Sequence, residues 1–140
     1  MPRHRLYEAV ADRAHHRCEY CRTPEQVSAS VFEVEHIVPA GEDALPNLAL
    51  ACRSCNGHKL SATHAKDPLT DQTVPLFNPR IQTWNAHFTL AVTDDGAVIE
   101  GRTPVGRATA KRLGLNLPRA KLARLIWIYA IRSYEEDRRS

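Results

Sequence analysis

A chain of 140 residues with 43% apolar and 25% charged content is long enough for one domain with its own core, residues 1–140. No apolar run approaches the roughly 18 residues that a membrane span needs, and the net charge of +3 is too small to mark a nucleic-acid binder without local clustering. The opening MPRHRLYEAVADRAHHRC carries charges throughout and lacks the apolar stretch of a secretory signal, so the expected location is cytoplasmic. In that reducing setting, two Cys-x-x-Cys pairs, Cys18/Cys21 and Cys52/Cys55, read as thiolate ligands rather than disulfides. Two separate redox motifs are the plainer alternative.

From Arg5 to His15, Leu6, Ala9, Val10 and Arg13 recur at helical spacing, which predicts a short helix leading to Cys18. The β-branched and apolar stretch Ser30 to Val38 predicts a strand stopped by Pro39, which has no N–H to donate to a ladder. A loop over Ala40 to Pro46, a returning strand over Asn47 to Ala51 and a helix from Cys52 to Ser61 follow. Pro68, Pro75 and Pro79 mark Asp67 to Arg80 as an ordered, irregular connection. His87 to Val92 and Ala97 to Glu100 flank Asp94-Asp95-Gly96, a hairpin signal, because Asp-Gly suits the positive φ of tight turns. Thr103 and Pro104 predict an N-cap and first helical residue, with Gly114 as the stop. After Pro118, Leu122, Leu125, Ile126 and Tyr129 form a helical stripe expected to pack on the hairpin. The polar tail Glu135 to Ser140 is expected to fray.

Arg102, Arg107, Lys111, Arg112, Arg119, Lys121 and Arg124 crowd the last third. They could form a phosphate-facing surface or simply a solvated helical face. Between the cysteine pairs lie Glu35-His36-Ile37-x-Pro39 and Asn47-Leu48, and the second pair runs on as Cys52-x-x-Cys55-Asn56-x-x-Lys59.

Taken together, that constellation resembles the HNH endonucleases, a branch of the ββα-metal nucleases, in an H-N-N form. The fold implied is α+β, with a ββα-metal core over residues 16–64 holding a structural zinc. A C-terminal extension over 65–140, a β-hairpin and two helices, would pack against it. Pro75-Leu76-Phe77-Asn78-Pro79-Arg80, Trp84, His87-Phe88 and the run from Thr103 to Thr109 look like the extension of a bacterial subgroup. The resemblance implies hydrolysis of phosphodiester bonds in DNA, double-stranded, leaving 3′-hydroxyl and 5′-phosphate ends. It implies no organic cofactor.

Residue by residue, the resemblance makes His36 the general base that activates water, a role that suits an imidazole titrating near neutral pH. Glu35 and Asn56 would hold a catalytic Mg²⁺ or Mn²⁺, for which carboxylate and amide oxygens are fitting hard donors. An ideal strand would turn Glu35 and His36 to opposite faces, so the strand is expected to twist or end there, as Pro39 allows; an ion pair with Arg or Lys is the alternative use of Glu35. Asn47 would brace the loop and orient His36, although an Asn before a strand is also an ordinary turn residue. Lys59, with Arg107, Lys111 and Arg112, would meet nucleic acid; a solvated lysine is the simple alternative. His58 ranks behind Asn56 as a ligand because it points about 200° away around the helix, and His15, His16 and His64 read as surface residues. Cys18, Cys21, Cys52 and Cys55 would close around Zn²⁺, leaving no open position for chemistry. The competing class is a non-catalytic zinc module that binds nucleic acid or protein.

Overall fold

Arg3 to Arg139 are described by the computed structural model. Helix α1 (Tyr7–Arg13) buries Tyr7, Val10 and Ala11, the face that the helical spacing anticipates. His15 and His16, both at φ 55°, end it. Strand β1 (Glu33–His36) pairs antiparallel with β2 (Leu48–Ala51), Glu35 opposite Ala49 and His36 opposite Leu48. The predicted strand over Ser30 to Val38 is thus shorter at both ends, and Asn47 falls in a 3-10 turn, Leu45–Asn47, ahead of β2. All four β2 residues are buried, so this strand is the floor of the core.

Helix α2 (Arg53–Lys59) begins with Cys52 as N-cap, its sulfur accepting the Cys55 N–H at 3.4 Å, and ends where Leu60 turns to φ 53°. The segment expected to be irregular, Asp67 to Arg80, holds the turn and second strand of a small ribbon, β3 (His64–Lys66) with β4 (Thr73–Pro75). Its turn is built on Asp67, whose carboxylate accepts the Leu69 N–H and the Thr70 hydroxyl. Proline content hid this, because the order comes from an Asp side chain satisfying turn donors rather than from periodicity.

A single turn, α3 (Trp84–His87), delivers the chain to the hairpin β5 (Phe88–Thr93) and β6 (Gly96–Gly101), close to the expected bounds. Gly96 sits at φ 129°, and a Cβ there would lie 2.8 Å from the Lys121 carbonyl, so both the turn and the approach of the last helix require glycine. Helix α4 (Pro104–Arg112) is capped by Thr103, whose hydroxyl accepts the Gly106 N–H at 3.0 Å, and stops at Gly114, φ 64°.

Helix α5 (Pro118–Arg139) departs from expectation twice. The stripe does not pack on the hairpin: Leu122, Ile126 and Tyr129 are 55%, 59% and 54% exposed. The face turned inward is that of Arg124, which is buried and donates to Ala97 O at 2.6 Å and Leu115 O at 2.7 Å. Two carbonyls that only a fork of N–H donors can satisfy set the rotation of this helix. Nor does residue 135 begin a frayed tail, since the helix continues through Arg139. Glu and Arg are good helix formers, and Arg138 and Arg139 complement the negative end of the helix dipole; Ser140 lies outside the described residues.

One hydrophobic cluster runs from Tyr7 through Cys18, Leu50, Phe77 and Phe88 to Leu115. Polar ties join its early and late parts. Glu19 accepts the Leu50 N–H at 2.8 Å and forms an ion pair with Arg80, and the Trp84 indole donates to Tyr20 O at 2.9 Å. No helix among the described residues is long and apolar enough to cross a membrane.

Candidate metal and phosphodiesterase site

A tight turn follows α1, with the Cys18 N–H donating to Thr23 O at 2.9 Å and Arg22 at φ 68°. It presents Cys18 and Cys21 toward Cys52 and Cys55 at the start of α2, and ligand atoms of all four lie within 4.8 Å of one another. The Cys21 and Cys52 sulfurs are 3.7 Å apart. Two thiolates on one tetrahedral zinc, each at about 2.3 Å, stand about 3.8 Å apart, whereas a disulfide would hold them at about 2.05 Å. Burial pushes the Cys18 thiol well up, while hydrogen bonding from Cys18 holds Cys21 and Cys52 below the ordinary thiol range. Such a set, closed and buried, fits a dication and leaves no room for substrate.

His36 ends β1 with its side chain 35% exposed. Its Nε2 is 2.8 Å from Asp43 Oδ1, and the same oxygen lies 2.6 Å from His4 Nε2. Donation from His4 first, and from His36, keeps the Asp43 carboxyl below its usual range. Arg5 adds a bond to the Asp43 carbonyl at 2.7 Å. Neither His4 nor Asp43 belongs to the motif read from sequence, and no periodicity points to them: one lies ahead of α1, the other in a loop.

Asn47 braces that loop. Its Oδ1 accepts the Val38 N–H at 2.9 Å and its Nδ2 donates to Val38 O at 2.9 Å and Glu42 O at 3.0 Å. Gly41 lets the loop close, since a Cβ there would meet Asn47 Nδ2 at 2.7 Å. The amide touches backbone on either side of the turn and not the His36 ring, so any effect on His36 passes through the placement of Asp43.

Glu35 is where the sequence reading needs correction. It is 4% exposed, pairs with the Lys59 ammonium and accepts the Tyr20 hydroxyl at 2.5 Å. The ion pair, the plainer alternative, is the arrangement present. Asn56 instead donates its amide to Glu33, two residues earlier on the same face of β1. Turning that amide over would present Oδ1 beside the Glu33 carboxylate, an oxygen pair that fits a hard cation. Glu33 went unnoticed because the motif names only the carboxylate adjacent to the histidine.

A family model described as HNH endonuclease matches residues 18–61. That match covers less than a third of the chain. The chain is also 26% identical over 126 residues to Septu protein PtuB of Bacillus thuringiensis, an alignment covering 85% of this chain and 42% of that protein. It therefore spans about two fifths of the length of that curated relative. No solved structure matches.

Within residues 18–61, Lys59 is not free to meet nucleic acid. At 1% exposure its ammonium lies against Glu35 and donates to Ile37 O at 3.2 Å, because α2 packs this side of its last turn onto β1. His58 is turned away, bonding Ser54 O at 2.7 Å. His15, His16 and His64 are exposed, as read. Outside the domain, Arg107 is likewise committed: its guanidinium makes two bonds of 2.9 Å to the fully buried Asp67. Arg124 is internal and Lys121 half-buried. Lys111 remains exposed, and so does Arg112, although its Nη2 reaches Lys59 O at 3.3 Å. Arg102 and Arg119 are exposed too. The basic run thus divides into internal clamps and solvated charges, a division that charge spacing does not encode.

Proposed function

We propose that this chain is a metal-dependent nuclease that hydrolyses phosphodiester bonds in DNA, with His36 as the general base. The observation that carries this reading is a half-exposed imidazole at the end of β1 with one ring nitrogen held by Asp43, inside a domain whose family is HNH endonuclease. His36 takes a proton from water as the water oxygen attacks phosphorus. The bond from phosphorus to the 3′ oxygen then breaks, and that oxygen takes up a proton from solvent, leaving 3′-hydroxyl and 5′-phosphate ends. Mg²⁺ or Mn²⁺ held by Glu33 and Asn56 would supply positive charge at the phosphate and the departing oxygen.

Glu33 and His36 occupy opposite faces of β1. Because β1 is hydrogen-bonded to β2 along one edge only, a nucleic-acid backbone following the open edge can address both. Of the basic run in the last third, Lys111, Arg112, Arg102 and Arg119 are the exposed cations that would meet phosphates. Cys18, Cys21, Cys52 and Cys55 would hold Zn²⁺, which would keep α2, the helix that carries Asn56, against β1.

A second reading, a non-catalytic zinc module, draws on one observation: Glu35 has a structural partner in Lys59. Incubation of supercoiled plasmid with Mg²⁺, Mn²⁺, Zn²⁺ or EDTA separates the two. The nuclease reading expects nicked or linear products with Mg²⁺ or Mn²⁺, none with EDTA, and at least a 100-fold loss in His36→Ala, in keeping with the 10²–10⁴ that a general base contributes. Undiminished cutting by His36→Ala, or DNA binding with no cutting under any metal, removes it.

A further inference from the structure

The three side chains around Asp43 could be either an ion site or a hydrogen-bond relay, since one ligand atom from each of His4, His36 and Asp43 lies within 4.8 Å of the others. The backbone decides between them. The Leu6 N–H donates to His4 Nδ1 at 3.0 Å. A nitrogen that accepts from N–H carries no proton of its own, so the proton of neutral His4 resides on Nε2 and points at Asp43 Oδ1, 2.6 Å away. An ion at Nε2 would require the proton on Nδ1, where it would confront the Leu6 N–H, whereas metal-bound histidines donate their second N–H to an acceptor. The cluster is therefore built for hydrogen bonding.

The same logic extends to His36. Asp43 Oδ1 is a carboxylate oxygen with room for two donors, and His36 Nε2 is 2.8 Å from it. Among the described residues His36 Nδ1 has no protein partner. Asp43 is itself held by more than the two rings, through the Arg5 bond to its carbonyl and the Asn47 bond to Glu42 O next to it.

We propose that Asp43 is a positioning residue for His36: by accepting the Nε2–H it locks the tautomer whose bare Nδ1 takes the proton from water, and His4, with the N-terminal segment, keeps Asp43 in place. A base oriented by an acidic partner is a general solution to proton transfer, because the carboxylate fixes the tautomer and stabilises the imidazolium that forms. The proposal rests on His36 being the general base, and it adds residues that the motif does not contain.

The test uses the zinc-loaded full chain labelled with ¹⁵N. Long-range ¹H–¹⁵N spectra of the imidazoles are expected to place the His36 proton on Nε2 in the native protein and to show mixed tautomers in Asp43→Ala. Plasmid cleavage is expected to lose about 10- to 100-fold in kcat with KM little changed, less than the 10²–10⁴ that a general base contributes. Asp43→Asn, whose amide oxygen still accepts, should recover part of the rate, and His4→Ala should cost less than Asp43→Ala. Native-like melting of Asp43→Asn, in an exposed loop, guards against simple misfolding. Should His36→Ala abolish cleavage while Asp43→Ala keeps both kcat and the native tautomer, the proposal is wrong and the base assignment stands. If His36→Ala cuts normally, it is the assignment of His36 that fails, and the tautomer spectra still decide whether Asp43 orders the ring. Movement of both Nε2 signals into the metal-bound range on adding a second equivalent of zinc would make the cluster an ion site and overturn the proposal.

Discussion

Residues 18–61 and the extension that follows use charge in different ways. In the first region the buried titratable groups cluster with one another: four thiols within 4.8 Å, and Glu35 on β1 paired with Lys59 of α2. In the extension they are clamps between backbone elements: Arg107 ties α4 to the Asp67 turn, and Arg124 ties α5 to the hairpin and the turn before it. Arg80 and Glu19 join the two regions. The lesson is that a short chain with little core to spare recruits charged side chains as braces, so a basic stretch need not be a binding face.

The largest effect should come from the thiols. Cys52→Ser, or prolonged chelation of the native chain, is expected to unfold residues 18–61 outright, because zinc binding is folding free energy of roughly 10 kcal/mol or more in such units. Metal analysis should find one zinc per chain in the native protein, and amide exchange should localise the lost protection. If the extension keeps its protection while residues 18–61 lose it, the two regions are separable; simultaneous loss would mean that Glu19–Arg80 and Trp84–Tyr20 weld them together.

Lys59→Met comes next. Removing the ammonium leaves the Glu35 carboxylate buried without its counter-ion, at an expected cost of about 3–5 kcal/mol in urea denaturation. Pairing it with Glu35→Gln should return much of that loss. The salt dependence of DNA binding should stay as it is, whereas a residue contacting phosphate would reduce its slope by about one.

The smallest effect is in the extension. Asp67 is held well below the usual carboxylate range by the Arg107 guanidinium. A carboxyl depressed in the folded state contributes stability that is complete above its unfolded value, about 3.9, and is lost as pH falls through the folded value. Protection of α4 and the β3–β4 ribbon in amide exchange should therefore exceed that of Asp67→Asn from neutrality down to about pH 4 and converge with it on further acidification. A difference independent of pH would assign the role of Asp67 to its turn hydrogen bonds rather than to its charge.

Local chemistry made much of the architecture legible. Cys-x-x-Cys spacing announces a pair of thiols turned the same way, Asp-Gly a hairpin, Thr-Pro a helix start and Gly114 its end, because each feature acts within a few residues of itself. Asn47 was legible as a brace for the same reason, its partners Val38 and Glu42 lying in the adjoining loop. The exposed face of α5 was not, since the apolar stripe competes with Arg124, whose carbonyl partners are 9 and 27 residues away.

The candidate site divides in the same way. Sequence by itself determined the four thiols, the position of His36 at a strand end and the HNH motif around it. Only the tertiary structure decided that Glu35 is neutralised by Lys59, that Glu33 meets Asn56, and that Asp43 meets both the His36 and the His4 rings. Those partners come from separate elements, and a side chain takes whichever counter-charge or hydrogen-bond partner folding brings within about 3 Å. A linear motif records residue types and spacing, but it carries no record of which neighbours arrive there.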